Sequence, residues 1–170
     1  MGGGSFIVKK EQIVGYTSGV FDLFHIGHLN LLRRAKSMCD RLIVGVTLDE
    51  LAGYKGATPI VPFGERLAIV QSIDCVDMAV PQDDLDKYKM WLKLKFDIMF
   101  IGDDWYGTKR FKAFEKQLKS VGVNVVYLPY TAGVSTTRRK LQLGEMHLLN
   151  GKRVSGSHDH SKPGKPDSSG

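Results

Sequence analysis

The sequence predicts a parallel α/β sheet of about five strands with helices on both faces. Three observations carry that prediction. Short apolar runs alternate with longer stretches of helical periodicity. The run DRLIVGVT is apolar almost throughout, as a strand covered on both faces requires. Finally, three polar, glycine-containing segments directly follow strands, which is where such sheets bind ligands.

In chain order, QIVGYTSG reads as a strand ending in a turn. HLNLLRRAKSM places Leu29, Leu31, Leu32, Ala35 and Met38 near a 3.6-residue period, so it is a helix. DRLIVGVT is the second strand and FGERLAIVQSI the second helix. VDMAVP is a brief strand, LDKYKMWLKLK an amphipathic helix and FDIMFIG a strand. KRFKAFEKQLKSVG is a helix with a glycine stop at Gly122. NVVYLP is the last strand, and STTRRKLQL opens on a capping serine. The segments Gly19–His28, Ile101–Gly107 and Pro129–Thr137 are expected to meet at the carboxyl edge of the sheet.

Residues 1–11 read as a flexible leader, 12–149 as one folded domain and 150–170 as a disordered tail. The tail is rich in Gly, Ser, Pro and Lys and cannot bury enough surface to offset its ordering entropy. Its HDH triplet is a weak metal motif in a solvated segment. Net charge is +6. In the tail, Lys152, Arg153, Lys162 and Lys165 face only Asp159 and Asp167, so most of the excess lies in the folded part. That mild basicity suits an anionic small molecule and calls for no nucleic acid. No run of 18 apolar residues exists, so no membrane partner is expected. Cys39 and Cys75 lack metal-type spacing and read as reduced, buried thiols, which favours the cytoplasm.

The stretch GVFDLFHIGH holds two of five histidines, three residues apart. A zinc site would need three or four ligands, and no further Cys, His or Glu is suitably placed. A core reading accounts for one such histidine better than for two. Gly27 between them costs a helix start roughly 0.5–1 kcal/mol relative to Ala, which points to a close approach. An anion reading fits best. A helix N-terminus offers free N–H groups and partial positive charge, Gly19 permits a tight turn, and two imidazoles supply N–H donors to a phosphate.

GVFDLFHIGH resembles the H-x-G-H signature of the nucleotidyltransferase superfamily that includes the cytidylyltransferases. YLPYTAGVSTT resembles the R-T-x-G-I-S-T-T signature of cytidylyltransferases. IGDDWYG resembles the G-D-D-W segment of glycerol-3-phosphate cytidylyltransferases. The resemblance spans residues 12–140. It implies a Rossmann-like fold, a homodimer, and the reaction of CTP with a small alcohol phosphate to give a CDP-alcohol and pyrophosphate, by in-line attack on the α-phosphorus. It implies that His25, His28 and Lys55 are catalytic. Gly19, Val20, Phe21, Asp22, Gly27, Asp104, Trp105, Tyr130, Gly133, Ser135 and Thr136 would surround the nucleotide. Lys55 and Arg66 would meet the acceptor, and Asp22 would stand beside the phosphates through Mg²⁺.

Four positions depart from the pattern. Tyr130 replaces the arginine of R-T-x-G. Ala57 stands where a second lysine is common. Asp74 replaces an arginine before the third strand. Asp83, Asp84 and Leu85 stand where a tryptophan is common, and the nearest one is Trp91. Polyol or sugar phosphates therefore remain open as acceptors. An adenylyltransferase and a nucleotide-binding module without turnover remain open as alternatives.

Overall fold

The computed structural model describes residues 12–53, 58–102, 109–129, 131–133 and 135–144. Among the described residues up to Leu128, the elements follow in the order β1 (Val14–Gly19), α1 (Ile26–Lys36), β2 (Arg41–Thr47), α2 (Asp49–Ala52), α3 (Phe63–Gln71), β3 (Met78–Gln82), α4 (Lys87–Leu94), β4 (Ile98–Gly102), α5 (Lys109–Lys119) and β5 (Asn124–Leu128). The single-turn α2 has no periodicity to betray it in the sequence; every other element lies within two or three residues of its expected place. Residues up to Thr136 form one compact unit. Of the second unit the described residues, 137–144, are helical.

All pairings are parallel and the strand order is β3-β2-β1-β4-β5. The order reverses between β1 and β4, so the carboxyl end of β1 borders the crevice where such sheets take ligands. β2 is buried along nearly its whole length, as its unbroken apolar run requires. Pro81, which has no N–H to donate, sits on the edge strand β3.

Alternation along the strands feeds two cores. Leu42, Val44, Val46 and Phe100 pack with Leu32 and Ala35 of α1 and Val70 of α3. Tyr16, Ile43, Met99 and Ile101 pack with Met90 of α4 and Leu118 of α5. α1 and α3 therefore cover one face and α4 and α5 the other. Asp86 caps α4 by accepting from the N–H groups of Tyr88 and Lys89. Past the end of α5, Gly122 takes a φ of 83°, the left-handed stop expected there.

Candidate functional site

The loop from β1 to α1 departs from ordinary backbone. Phe21 and Leu23 hold φ values of 54° and 46°, and left-handed geometry costs roughly 1–2 kcal/mol per non-glycine residue. Such a shape persists only where its surroundings over-determine it. Buried polar bonds do so here. The Asp22 carboxylate, 3 % exposed, accepts from Ile60 N through both oxygens at 3.1 and 3.0 Å and from Val61 N at 3.0 Å. Arg66, 1 % exposed, donates to the carbonyls of Val20, Thr47 and Val61 and pairs with Asp49. A side chain on Gly19 would crowd the Phe21 ring, 3.3 Å away, so glycine lets that ring fold back into the core.

His25 is the N-cap of α1, an unusual cap where Ser, Thr, Asp or Asn is the rule. Its Nδ1 accepts from Gly27 N at 3.1 Å. An accepting Nδ1 carries no proton, so the neutral ring holds its proton on Nε2. That nitrogen lies 3.4 Å from Thr136 Oγ1, which itself donates to the Asp22 carbonyl at 3.1 Å. Thr136 has given its proton away and therefore accepts from His25. The cap fixes the tautomer, and the threonine fixes the direction of the remaining donor.

His28 lies one turn on. Its ring stacks on that of His25 with centroids 3.9 Å apart and planes 16° apart. Phe21 meets it edge-on at 5.3 Å and Phe24 at 5.4 Å. Its Nδ1 is buried and has no hydrogen-bond partner among the described residues. Burial, and next the neighbouring His25, push its pKa down to about 3, against a weaker upward pull from Asp22. His28 is thus a neutral ring with an unsatisfied buried nitrogen. Such an atom costs about 1–3 kcal/mol until a partner arrives.

The third segment docks onto this loop through Thr136. It also docks through Asn30, which donates to Thr131 Oγ1 at 3.4 Å, and Arg34, which donates to the Pro129 carbonyl at 2.8 Å. Gly133 turns with a φ of 79°, and Ser135 directly precedes the helical residues 136–144. The structure thereby gathers Gly19, Val20, Phe21, Asp22, His25, Gly27, His28 and Thr136 around one strand end. Phe21 contributes as a buried wall behind His28. Val20 contributes its carbonyl to Arg66. Lys55, Ala57, Asp104, Trp105 and Tyr130 lie outside the described residues.

Two expectations change. Arg66, expected at the acceptor, has its guanidinium buried under the loop, and its bonds go mostly to backbone carbonyls. Asp74 lies exposed in the turn before β3, at the amino edge of the sheet, away from the crevice. Its departure from the family arginine therefore does not touch the histidine pair.

Sequence reasoning missed Lys87. Its side chain is buried at the start of α4, and its ammonium donates to Ser18 Oγ of β1 at 2.7 Å. A lysine next to Asp86 in an amphipathic helix looks like a solvated charge. The only sequence signal is its place in the first turn after β3, on the crevice edge.

The profile of the family described as cytidylyltransferase-like matches residues 16–149. The glycerol-3-phosphate cytidylyltransferase of Bacillus spizizenii is 38 % identical over 131 residues, covering 76 % of this chain and 96 % of that protein. That of Staphylococcus aureus is 35 % identical over 134 residues, covering 75 % and 92 %. Among solved structures, the lipopolysaccharide core biosynthesis protein of Thermoplasma volcanium is 28 % identical with a TM-score of 0.61, over 71 % of this chain and 97 % of that one. With its parallel sheet, its switch-point crevice and its paired histidines, the chain belongs to the cytidylyltransferase-like family.

Proposed function

We propose that this chain joins CTP to a small alcohol phosphate, glycerol 3-phosphate first, releasing pyrophosphate. The observation that carries this reading is the stacked histidine pair at the end of β1, one ring with a fixed Nε2 donor and one with a buried nitrogen that has no partner among the described residues. The relatives' activity, and not that of an adenylyltransferase, supports CTP as the nucleotide.

The acceptor's phosphate oxygen attacks the α-phosphorus in line as the bond to pyrophosphate breaks. Charge gathers on the equatorial and leaving oxygens. The His25 Nε2–H can leave Thr136 for such an oxygen with no change of tautomer. His28 can offer a ring N–H beside it, and a nearby triphosphate favours its protonated, doubly donating form. Lys87 supplies a buried positive charge from the α4 side, suited to the acceptor's phosphate. Preset donors of this kind typically contribute 10²–10³-fold each.

Mg²⁺ is part of the proposal as a companion of the nucleotide. Among the described residues no three His, Cys, Asp or Glu side chains gather into a metal site, and the Asp22 carboxylate is bonded to the 60–61 backbone. Magnesium commonly binds through substrate phosphates with one or two carboxylates, and Asp22 is the carboxylate beside the histidines. When bound, the ion would neutralise phosphate charge.

We also place the enzyme in the cytoplasm as a homodimer. Two free cysteines, with thiol pKa values raised by burial, support a reducing compartment; no helix among the described residues is long and apolar enough to cross a membrane. Sedimentation velocity tests the dimer. Pyrophosphate release from CTP with glycerol 3-phosphate, then with polyol and sugar phosphates, tests the reaction. Release with the first acceptor is the expected result. Silence across the panel with CTP still bound would leave a nucleotide-binding module.

A further inference from the structure

Tyr16 is the second buried polar group without a hydrogen-bond partner of ordinary geometry among the described residues. It is fully buried in β1, and its ring lies flat against Phe96, 4.8 Å between centroids and 16° between planes. The hydroxyl therefore cannot swing elsewhere. It occupies a slot left by Gly45: a Cβ there would lie 2.3 Å from Tyr16 Oη and 3.2 Å from Ser18 Cβ. Gly45 is also the residue paired with Ser18 across the β1–β2 ladder. Tyrosine hydroxyl, serine and glycine thus crowd one point near the end of β1, on the α4 face.

Ser18 already accepts from the Lys87 ammonium at 2.7 Å. A hydroxyl that accepts from a cation becomes a stronger donor. The nearest buried oxygen on its own strand and face is that of Tyr16. Burial keeps Tyr16 un-ionised, Asp83 adds to that effect, and the neighbouring Ser18 hydroxyl opposes it. The phenol thus remains a neutral oxygen able to take the serine proton.

We propose that Tyr16 is a positioning residue: in the slot opened by Gly45, its hydroxyl turns the Ser18 proton inward, so that a Ser18 lone pair faces Lys87 and holds that ammonium at the crevice. The consequence for acceptor binding rests on the role given to Lys87 above. The positioning itself does not.

The test uses Tyr16→Phe, Ser18→Ala and the double variant in the full chain. Tyr16→Phe takes the acceptor from the Ser18 proton but also removes the buried phenol proton, and these two effects oppose each other, so the variant should stay folded and melt close to the native temperature. Its KM for glycerol 3-phosphate should rise roughly three- to tenfold while KM for CTP stays within about twofold. Ser18→Ala should do the same or more. The double variant should match Ser18→Ala alone, because both changes cut one chain of bonds. A readout independent of turnover is the carbon-13 signal of the Lys87 side chain in lysine-labelled protein, assigned by its loss in Lys87→Arg. Both single variants should shift it alike. A shifted Lys87 signal with unchanged acceptor KM would uphold the positioning and reject the acceptor role of Lys87. An unshifted signal in Tyr16→Phe, or effects of the two changes that simply add, would overturn the positioning.

Discussion

The carboxyl end of β1 presents a different polar arrangement on each face. On the α1 face, His28 stacks on His25, which is held by its own helix start and by Thr136. The two rings and their cap lie within a few positions of one another, and Thr136 joins them from 111 residues away. On the α4 face, Ser18 meets Lys87 across 69 residues of sequence, and Tyr16 meets Gly45 across 29. Among the described residues, His28 Nδ1 on the first face has no hydrogen-bond partner, and Tyr16 Oη on the second has none of ordinary geometry. The first arrangement is a local motif fixed by a loop and a cap. The second exists only because the sheet brings β1, β2 and α4 together. Local geometry sets up the pair of stacked imidazoles, and tertiary packing brings the Lys87 side chain to the other side of the strand.

The largest effect expected is on the histidine side. His28→Ala should lower pyrophosphate release by about 10²–10³-fold, roughly 3–4 kcal/mol of barrier, with circular dichroism unchanged. Loss of less than tenfold would mean that the two faces do not divide the work as drawn here. His25 separates structure from chemistry. His25→Asn keeps a good capping side chain, so stability should hold while turnover falls as steeply as in His28→Ala.

Next comes the support of the loop. Arg66→Met should destabilise the fold by about 3 kcal/mol, because three backbone carbonyls lose their donor in a buried site. The ion pair itself adds little, since the Asp49 side chain is 42 % exposed. Urea denaturation measures the difference. The histidine face should suffer more than the lysine face: Arg66 bonds to the Val20 carbonyl beside the strained loop, and its other bonds go to Thr47, Val61 and Asp49. An acceptor KM that changes as much as the CTP KM would argue against that division.

How much of this was legible follows from the same contrast. The β1–α1 segment and the one after β5 carry a pattern of residue type and spacing, so the chain alone predicts that the histidines, Asp22 and Thr136 lie near one strand end, and the structure brings them together there. Period and punctuation likewise sufficed for the strands and for the longer helices. Nothing in residue type or spacing sets Tyr16, Gly45 or Lys87 apart from ordinary strand and helix positions. Their pairing depends on strand register and on the alternation that turns Tyr16 and Ser18 to the same face. For Arg66 the spacing predicts a place at the crevice, and the structure adds that its guanidinium is bonded to backbone carbonyls and Asp49. Spacing does not tell a guanidinium that faces a ligand from one that ties backbone carbonyls together.

A change of pH probes the histidine face further. His28 has a folded pKa pushed down to about 3, below its unfolded value. The unfolded chain therefore binds more protons between those two values, and stability is present above about pH 6.5 and is lost as pH falls toward 3. Between pH 6.5 and 5 the loss reaches up to about 2 kcal/mol, trimmed by the partial exposure of the ring. Thermal melts of native protein and His28→Gln should converge as the pH is lowered through that window. Parallel curves would mean that His28 gains its proton in the folded state at an ordinary pH. CTP should oppose the effect, because a triphosphate favours the imidazolium. Its binding at pH 7 should therefore take up protons, which calorimetry in buffers of different ionisation heat detects.

The smallest effect is the most specific to geometry. Thr136→Val keeps the shape of the side chain and deletes the oxygen that lies between His25 Nε2 and the Asp22 carbonyl. Before substrate binds, the His25 N–H loses its acceptor, and the Asp22 carbonyl loses a donor. Each loss is worth about 1 kcal/mol. Stability should fall by that order. Turnover should fall about three- to tenfold through kcat, since the ring is no longer aimed before the phosphate arrives. Thr136→Ser restores the oxygen and should recover most of both. The lysine face supplies the control. Neither variant alters Ser18 or Tyr16, so the KM for the acceptor should stay at its native value. A threonine that served only to begin its helix would lose stability on substitution by valine and leave the rate of the bound complex untouched.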